Sequence, residues 1–193
     1  MKIRNYLILT TALVIAGCVP SLHPLWTKDT LVYDGAIKGS YQQDDNVWEF
    51  VGDPAKKSYA LTIHEKDDKV SRLTANLVAV GDARFLDLYP SDDAELGDGD
   101  WLKFHLVPAH LFFRVDQTQP NLVLAAMNPD AIEKLLKDNP EMVKHEIVED
   151  DRVVLTDSPE KLQTFVVAGL KIEGFFGKPQ ELKPVKTDAS AAQ

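Results

Sequence analysis

The feature that most constrains this fold is a series of short segments, between about residues 37 and 127, in which apolar and polar residues alternate. In one of them, Tyr59, Leu61 and Ile63 alternate with smaller or polar residues, which is the period of two of a half-buried β-strand. Polar turns at residues 66–69 and 81–82 separate such segments. Short strands joined by tight turns indicate an antiparallel meander, which hides its edges by closing into a barrel or folding over as a sandwich.

Two segments in the C-terminal half have the signals of short helices. Asn128 and Pro129 provide a cap followed by proline at the first helical position. Asp157 and Glu160 have the spacing of a capping box at the start of the second segment. Apolar residues at helical spacing follow both starts.

Three further segments are predicted as strands. Residues 152–156 lie between the two helices, and residues 172–176 and 180–185 are expected as edge strands. The fold class is therefore predicted to be mainly β with α additions (α+β), with an antiparallel meander and two short helices in the C-terminal half.

The strand region opens with Gly39-Ser40-Tyr41, and Trp48 follows a few residues later. This opening resembles that of lipocalin-like barrels, which carry Gly-x-Trp on the first strand, although here the aromatic residue is Tyr41. Together with the meander, the resemblance implies a lipocalin-like barrel, with a β-sandwich as the alternative.

The first residues have the pattern of an export signal. Lys2 and Arg4 precede an uncharged, mostly apolar run over residues 6–15, which is shorter than the roughly 20 residues of a membrane-spanning helix. The run ends in Ile15-Ala16-Gly17-Cys18. This segment resembles the lipobox of bacterial lipoproteins, in which the Cys is lipidated and becomes the mature N-terminus.

Cysteine usage agrees with that resemblance. Cys18 is the single Cys of the sequence, so it has no partner for an internal disulfide. Val19 follows it, and the absence of Asp there implies an outer-membrane lipoprotein facing the periplasm if the organism has two membranes. An ordinary signal peptide with a coincidental Cys, or an uncleaved apolar anchor, is the alternative.

The Leu-His-Pro-Leu segment at residues 22–25 is similar to one found early in uncharacterised bacterial envelope lipoproteins. This resemblance does not imply an activity. Leu25 and Trp26 are too apolar for a solvated linker, so we expect them to pack on the domain. The predicted organisation has four parts: a signal peptide (1–17), the lipidated Cys and tether (18–30), a single β-rich domain (31–186) and a disordered tail (187–193).

Composition and motifs exclude several functions. Hydrophobic residues make up 45% of the 193 residues, as in globular domains, and the net charge of −9 argues against nucleic-acid binding. The sequence contains neither a Gly-x-Ser-x-Gly elbow, nor a Gly-x-Gly-x-x-Gly loop, nor a His-Glu-x-x-His zinc motif. We therefore assign no catalytic residue, no metal ligand and no cofactor.

Two groups of residues are candidate metal sites, and each also has a purely structural interpretation. His105 and His110 are five residues apart, which places them on opposite faces of a continuous strand unless Pro108 interrupts it, and two histidines make a poor zinc site. An acidic stretch could hold calcium, but it lacks the spacing of the twelve-residue calcium loop, so a solvated loop is the simpler interpretation. Its residues are Asp92, Asp93, Glu95, Asp98 and Asp100.

A ligand cavity lined by aromatic residues is a third possible site. Small closed barrels either fill their interior with side chains or keep room for one small ligand, and aromatic residues in strands favour the filled core. The residues in question are Trp26, Tyr41, Trp48, Tyr59, Phe85, Trp101, Phe112 and Phe113.

The favoured hypothesis is a membrane-anchored envelope lipoprotein that acts as a non-catalytic binding or accessory protein, with an apolar small molecule or an envelope protein as partner. The alternative is a hydrolase or metal-dependent enzyme whose site uses His105, His110 and the acidic stretch. A third is an assembly component recognised through an edge strand or an exposed apolar patch.

Overall fold

The computed structural model of the chain describes residues 18–92, 94, 106–148 and 151–185. Within these ranges the helices are α1 (Pro129–Asp138) and α2 (Pro159–Gly169). The strands in chain order are β1 (Pro20–Ser21), β2 (Leu31–Val32), β3 (Gly39–Gln43), β4 (Asn46–Asp53), β5 (Ser58–His64), β6 (Val70–Val80), β7 (Ala83–Pro90), β8 (His110–Gln117), β9 (Leu122–Ala126), β10 (His145–Val148), β11 (Arg152–Leu155) and β12 (Gln180–Pro184).

Eight of the described strands close into an antiparallel barrel. Strands β3 to β9 each pair with the next strand along the chain, and β12 pairs with both β9 and β3. The predicted meander is therefore confirmed, and it forms a barrel rather than a sandwich. The segment predicted as an edge strand at residues 180–185 is the strand that closes the barrel. The edge strand predicted over residues 172–176 is wrong. These residues form turns, with Gly174 at a φ of 78° and Phe175 and Phe176 packed into the outer core, and Phe176 makes one isolated bridge to Met127.

Alternate side chains of these strands fill the middle of the barrel. Tyr41 lies opposite Trp48, which in turn lies opposite Ile63, so the three side chains share the inner face. Burying each large apolar side chain contributes about 1.5–3 kcal/mol. The buried inner core consists of Ile37, Tyr41, Phe50, Tyr59, Leu61, Ala75, Leu77, Leu86, Leu88, Val115, Leu122, Leu124 and Leu182.

A second core lies between the outside of the barrel wall and a layer formed by both helices and a small sheet. Strands β10, β11 and β1 extend the sheet from β8, with β1 parallel to β11 and antiparallel to β8. Val78, Phe85, Phe112 and Ala125 of the wall face this layer. The layer contributes Val19, Leu25, Met127, Ile132, Leu136, Val143, Val153, Leu155, Leu162, Phe165, Val166, Phe175 and Phe176.

Both predicted helices are present, and one predicted cap is wrong. Helix α1 begins after Asn128 with Pro129 at its first position, as expected. Ser158, not Asp157, is the N-cap of α2. Asp157 instead accepts hydrogen bonds from the backbone N–H groups of Lys144 (2.9 Å) and Ser158 (2.9 Å), so it ties the start of β10 to the start of α2.

One end of the barrel, which we call the sealed end, is closed by residues 31–38. Ile37 is fully buried there, and the ring of Tyr33 stacks on Tyr59 at 5.1 Å. The Tyr59 hydroxyl accepts from the N–H of Asp34 (2.8 Å) and donates to its carbonyl (2.9 Å). Burial raises the pKa of Tyr59 to about 12, so the phenol stays neutral and makes both bonds. Arg84 pairs with the Asp34 carboxylate at 2.9 Å.

The residues next to Cys18 are part of the folded layer. Val19 is buried, Pro20 and Ser21 form β1, and Leu25 is fully buried while Trp26 packs against the outer core, as expected for these last two residues. The predicted signal peptide (1–17) and tail (187–193) lie outside the described residues.

Replacing Gly52 with Ala is expected to destabilise the sealed end by about 1–3 kcal/mol, the usual cost of overpacking. A Cβ at this position would lie 2.2 Å from the Tyr33 hydroxyl and 3.0 Å from Cγ of Lys38, so the stacked Tyr33 ring must move. Urea unfolding measures the change. Gly35→Ala is the control, since its nearest neighbour would be 4.0 Å away. Equal losses in the two variants would contradict this account of the seal.

Candidate functional site

The Leu-His-Pro-Leu segment passes between the barrel wall and α2, where two buried polar side chains hold the backbone of Leu25. Asp87 on β7 accepts the N–H of Leu25 through Oδ2 at 2.8 Å. Gln163 on α2 donates its Nε2 to the Leu25 carbonyl at 2.8 Å and to the Thr30 hydroxyl at 3.0 Å. Both backbone hydrogen-bonding groups of the buried residue Leu25 are thereby satisfied, which is the condition for burying backbone.

Asp87 also holds His110, one of the two histidines considered as metal ligands. Oδ1 of Asp87 lies 2.8 Å from Nδ1 of His110, and the imidazole stacks on the ring of Tyr89 at 4.3 Å. Burial raises the pKa of Asp87, while the hydrogen bond and charge of His110 and the Leu25 N–H act to lower it. The side chain of Asp87 is only 1% exposed and that of His110 only 12%.

A carboxylate that orients an imidazole is also found in catalytic triads, where a serine hydroxyl lies within hydrogen-bonding distance of the imidazole. Ser21 lies opposite His110 in the sheet and is fully buried. Its hydroxyl, however, donates to the carbonyl of His23 at 2.7 Å. The second carboxylate oxygen of Asp87, Oδ2, likewise accepts the N–H of Leu25. The pair therefore acts as a clamp on the segment that follows β1.

The predicted metal candidates can be placed only in part. His105, Asp93, Glu95, Asp98 and Asp100 lie outside the described residues, as does Trp101. In the described part of the chain, no three His, Cys, Asp or Glu side chains come together as a metal-binding group.

We call the opposite end of the barrel the mouth, and its inward-facing side chains differ from those of the sealed end. It is the end where β7 stops and β8 begins. Inward-facing apolar side chains there are only partly buried, unlike those in the middle of the barrel. They are Trp48, Ile63, Leu73, Leu111 and Phe113.

Two polar groups mark the mouth. The indole Nε1 of Trp48 is buried and makes no hydrogen bond. An indole N–H only donates, and leaving such a donor unpaired costs about 1–3 kcal/mol. Gln43, also buried on the inner face, donates to the side chain of Gln180. As far as the structure describes it, the mouth thus presents apolar side chains and one buried donor that lacks an acceptor. The Tyr33 hydroxyl is also buried and unpaired, but it belongs to the seal.

The aromatic residues that the sequence suggested as cavity lining lie in different parts of the fold. Tyr41 and Tyr59 are in the inner core, whereas Phe85 and Phe112 face outward into the second core. Trp48 and Phe113 line the mouth, where a cavity was one of the open interpretations.

Cys18 lies two residues before the sheet. Its side chain is partly exposed, and burial raises the pKa of the thiol, which disfavours a reactive thiolate. Lipidation of Cys18 stays a prediction. In the described residues, no helix combines the length and the apolar character needed to cross a bilayer.

Comparisons with known proteins found no match: no family model, no curated protein and no solved structure matches this chain.

Sequence reasoning missed Asp87 and Gln163. A signal for Asp87 exists, because it is the single charged residue in Phe85-Leu86-Asp87-Leu88, a run too apolar for an exposed strand. Such a buried acid requires partners, and these come from residues distant in sequence. Gln163 sits on the buried face of α2 beside Leu162 and Val166, where a polar side chain likewise needs a partner.

Replacing Asp87 with Ala is expected to cost about 3 kcal/mol of unfolding free energy, because the Leu25 N–H and His110 both lose their buried acceptor. Asp87→Asn should cost less, since its carbonyl oxygen can still accept from Leu25. Asp116→Ala is the control, because that carboxylate pairs with Arg114 at the surface and such pairs contribute about 0–1 kcal/mol. If Asp87→Ala were as mild as Asp116→Ala in urea unfolding, the clamp would have no energetic role.

Proposed function

We propose that this chain is a bacterial envelope lipoprotein, anchored through Cys18, whose lipocalin-like barrel binds an apolar small molecule at its mouth without catalysis. The observation that carries the proposal is the difference between the two ends of the barrel. Residues 31–38 seal one end, whereas the inward-facing apolar side chains of the other remain partly exposed beside the unpaired N–H of Trp48.

The barrel type supports a binding role. Eight antiparallel strands that follow one another around a closed barrel can hold one small ligand at their interior, as lipocalins do. Strand β12 is separated from β9 in the chain by both helices, β10 and β11, and it closes the barrel by pairing with β9 and β3.

The packing also limits what the ligand can be. Phe50, Tyr59 and Leu61 fill the middle of the barrel and are buried almost completely. The ligand is therefore held near the mouth, with its apolar part against Ile63, Leu73 and Phe113. It carries a hydrogen-bond acceptor for the Trp48 N–H, as a carboxylate, ester or ketone does.

The location proposed is the outer membrane, facing the periplasm, if the organism has two membranes. The lipobox-like segment before Cys18 and the residue after it support this placement, as does the use of the single Cys at that position. Anchoring that resists washing requires more than one acyl chain, which the diacylglycerol on the sulfur supplies.

Binding can be tested with a fluorescent fatty acid such as cis-parinaric acid and the purified protein. Leu73→Glu places a charge among the apolar side chains of the mouth and should weaken binding by about tenfold or more. Val70→Glu is the matched control, because Val70 lies on the same strand but is 42% exposed. Equal affinities in the two variants would contradict a site at the mouth.

Trp48→Phe provides a second arm of the same experiment. It removes the unpaired donor and keeps an aromatic ring, so the unliganded protein should unfold at a higher urea concentration while the probe binds several-fold more weakly. If both quantities were unchanged, the Trp48 N–H would have no part in binding.

The anchor is tested by Cys18→Ala in the host cell. The variant is expected to lose both membrane association and signal processing, as measured by fractionation and by the mass of the mature protein. Retention of the variant in the membrane fraction after a high-salt wash would show that another element holds the protein there.

A further inference from the structure

We infer that the free edge of β10 is a docking surface for an extended, basic segment of another protein, which joins the outer sheet as an additional strand. This surface belongs to the outer layer and is separate from the barrel mouth. The inference therefore does not depend on what the mouth binds, and it gives the outer layer a role in recognition.

Strand β10 is the last strand of the sheet that extends outward from the barrel wall. It pairs with β11 on one side, and in the described part of the chain no strand pairs with its other side. Strand β11 differs, because β1 covers its second side. The unpaired backbone groups of an edge strand are a template for pairing with another chain.

The register shows which backbone groups of β10 face the open side. The N–H of Thr156 donates to the carbonyl of Lys144 at 2.9 Å, so these two residues form a hydrogen-bonded pair. Hydrogen-bonded and non-hydrogen-bonded pairs alternate along an antiparallel ladder. The bonds to β11 therefore continue at every second residue, and the N–H and C=O groups of His145 and Ile147 point away from β11 toward an incoming strand.

The side chains of β10 suit strand pairing. Ile147 lies opposite Val153 and so shares the face of the outer core, yet it is 46% exposed, and Val148 on the other face is 43% exposed. The four residues of β10 include neither Pro nor Lys, which protect edge strands in natural proteins. Strand β2, by contrast, is only two residues long, and its Leu31 carbonyl accepts a hydrogen bond from Nζ of Lys57 at 3.0 Å.

The charge around this edge determines which partner fits. Residues 138–152 contain six carboxylates against Lys144 and Arg152, which gives this segment a charge of −4 with His neutral. Glu146, one of the six, is exposed on β10 itself. A second copy of this chain would bring the same carboxylates to the edge, and like charges on adjacent strands are destabilising. A strand that carries Lys or Arg is attracted instead.

The pattern of the partner follows from the two faces of β10. A residue placed beside Ile147 meets the apolar face, whereas a residue placed beside Glu146 lies on the other face, next to a carboxylate. Successive side chains of a strand point to opposite faces, so the partner segment alternates apolar residues with Lys or Arg. Backbone hydrogen bonds supply the affinity in this mode of recognition, and the side chains supply the specificity.

The proposal is tested with a blocked, fluorescein-labelled heptapeptide that alternates Arg and Val. Its control is the same peptide with every backbone nitrogen methylated, which keeps the charge and removes the N–H donors. Fluorescence anisotropy with the purified protein should show that the unmodified peptide binds about tenfold more tightly or better. Equal affinities would show attraction to an acidic surface without strand pairing, and would overturn the proposal.

Two variants locate the site. Ile147→Pro removes an outward N–H at a position where an edge strand tolerates proline, and should weaken peptide binding by about tenfold. Glu146→Lys keeps the backbone and should weaken binding several-fold, whereas Asp45→Lys makes the same change of charge at an exposed turn of the barrel and should not. Equal affinities for the two Lys variants, or wild-type affinity in a folded Ile147→Pro protein, would contradict a site at β10.

Hydrogen exchange followed by NMR needs no variant. When the peptide is added to the wild-type protein, the amide protons of His145 and Ile147 should exchange more slowly, because they become hydrogen-bonded to the added strand. Slower exchange confined to other strands would place the peptide elsewhere and overturn the proposal.

A second copy of the chain is the alternative occupant. A wild-type dimer that becomes monomeric in Ile147→Pro, as measured by sedimentation equilibrium, would make the partner a copy of this chain and would overturn the basic segment. Binding of cis-parinaric acid should be the same in the wild-type protein and in Ile147→Pro, so the failure of one proposal is distinguishable from the failure of the other.

Discussion

The structure depends on how the backbone of Leu25 is held between its two layers. One face of the barrel wall and the buried face of α2 are apolar, and the segment between them brings a peptide N–H and a carbonyl into a space without water. Asp87 satisfies the first and Gln163 the second. Leaving either group unpaired would cost about 1–3 kcal/mol, so the contact between layers requires both side chains. His110 completes the arrangement by pairing with the other oxygen of Asp87.

The outer layer, which this clamp joins to the barrel wall, makes the barrel asymmetric. Strands from β6 to β9 have one face in the inner core and the other in the outer core. Their sequences therefore contain consecutive apolar residues, such as Phe85-Leu86 and Phe112-Phe113, and do not alternate strictly between apolar and polar residues. The remaining strands meet water on their outer face. The outer layer stiffens one side of the barrel, residues 31–38 close one end, and the mouth is left as the surface where an apolar ligand would bind.

The sequence predicted local structure well because local signals control it. The polar turns at residues 66–69 and 81–82 and the proline after Asn128 all lie where they were expected. The predicted cap of α2 is wrong because Asp157 accepts a hydrogen bond from the N–H of Lys144, which lies thirteen residues earlier. The choice between Asp157 and Ser158 as the cap depends on that long-range contact. The role of His110 was equally hidden. Its partner Asp87 lies on a neighbouring strand, and nothing in the spacing of histidines indicates it.

The sequence by itself determined most of the barrel strands, their turns, the two helices and the pattern at Cys18 that predicts export, because each depends on residues that are neighbours in the chain. It did not indicate β1, β2 or β10, and the strand it predicted at residues 172–176 is wrong. Only the tertiary structure decided that β12 closes the barrel, which aromatic residues face inward, and that Trp48 and Phe113 line the mouth. These features follow from pairings such as β12 with β3, whose residues are more than a hundred positions apart. Register and closure are set by the packing of both cores at once, and no local pattern contains that information.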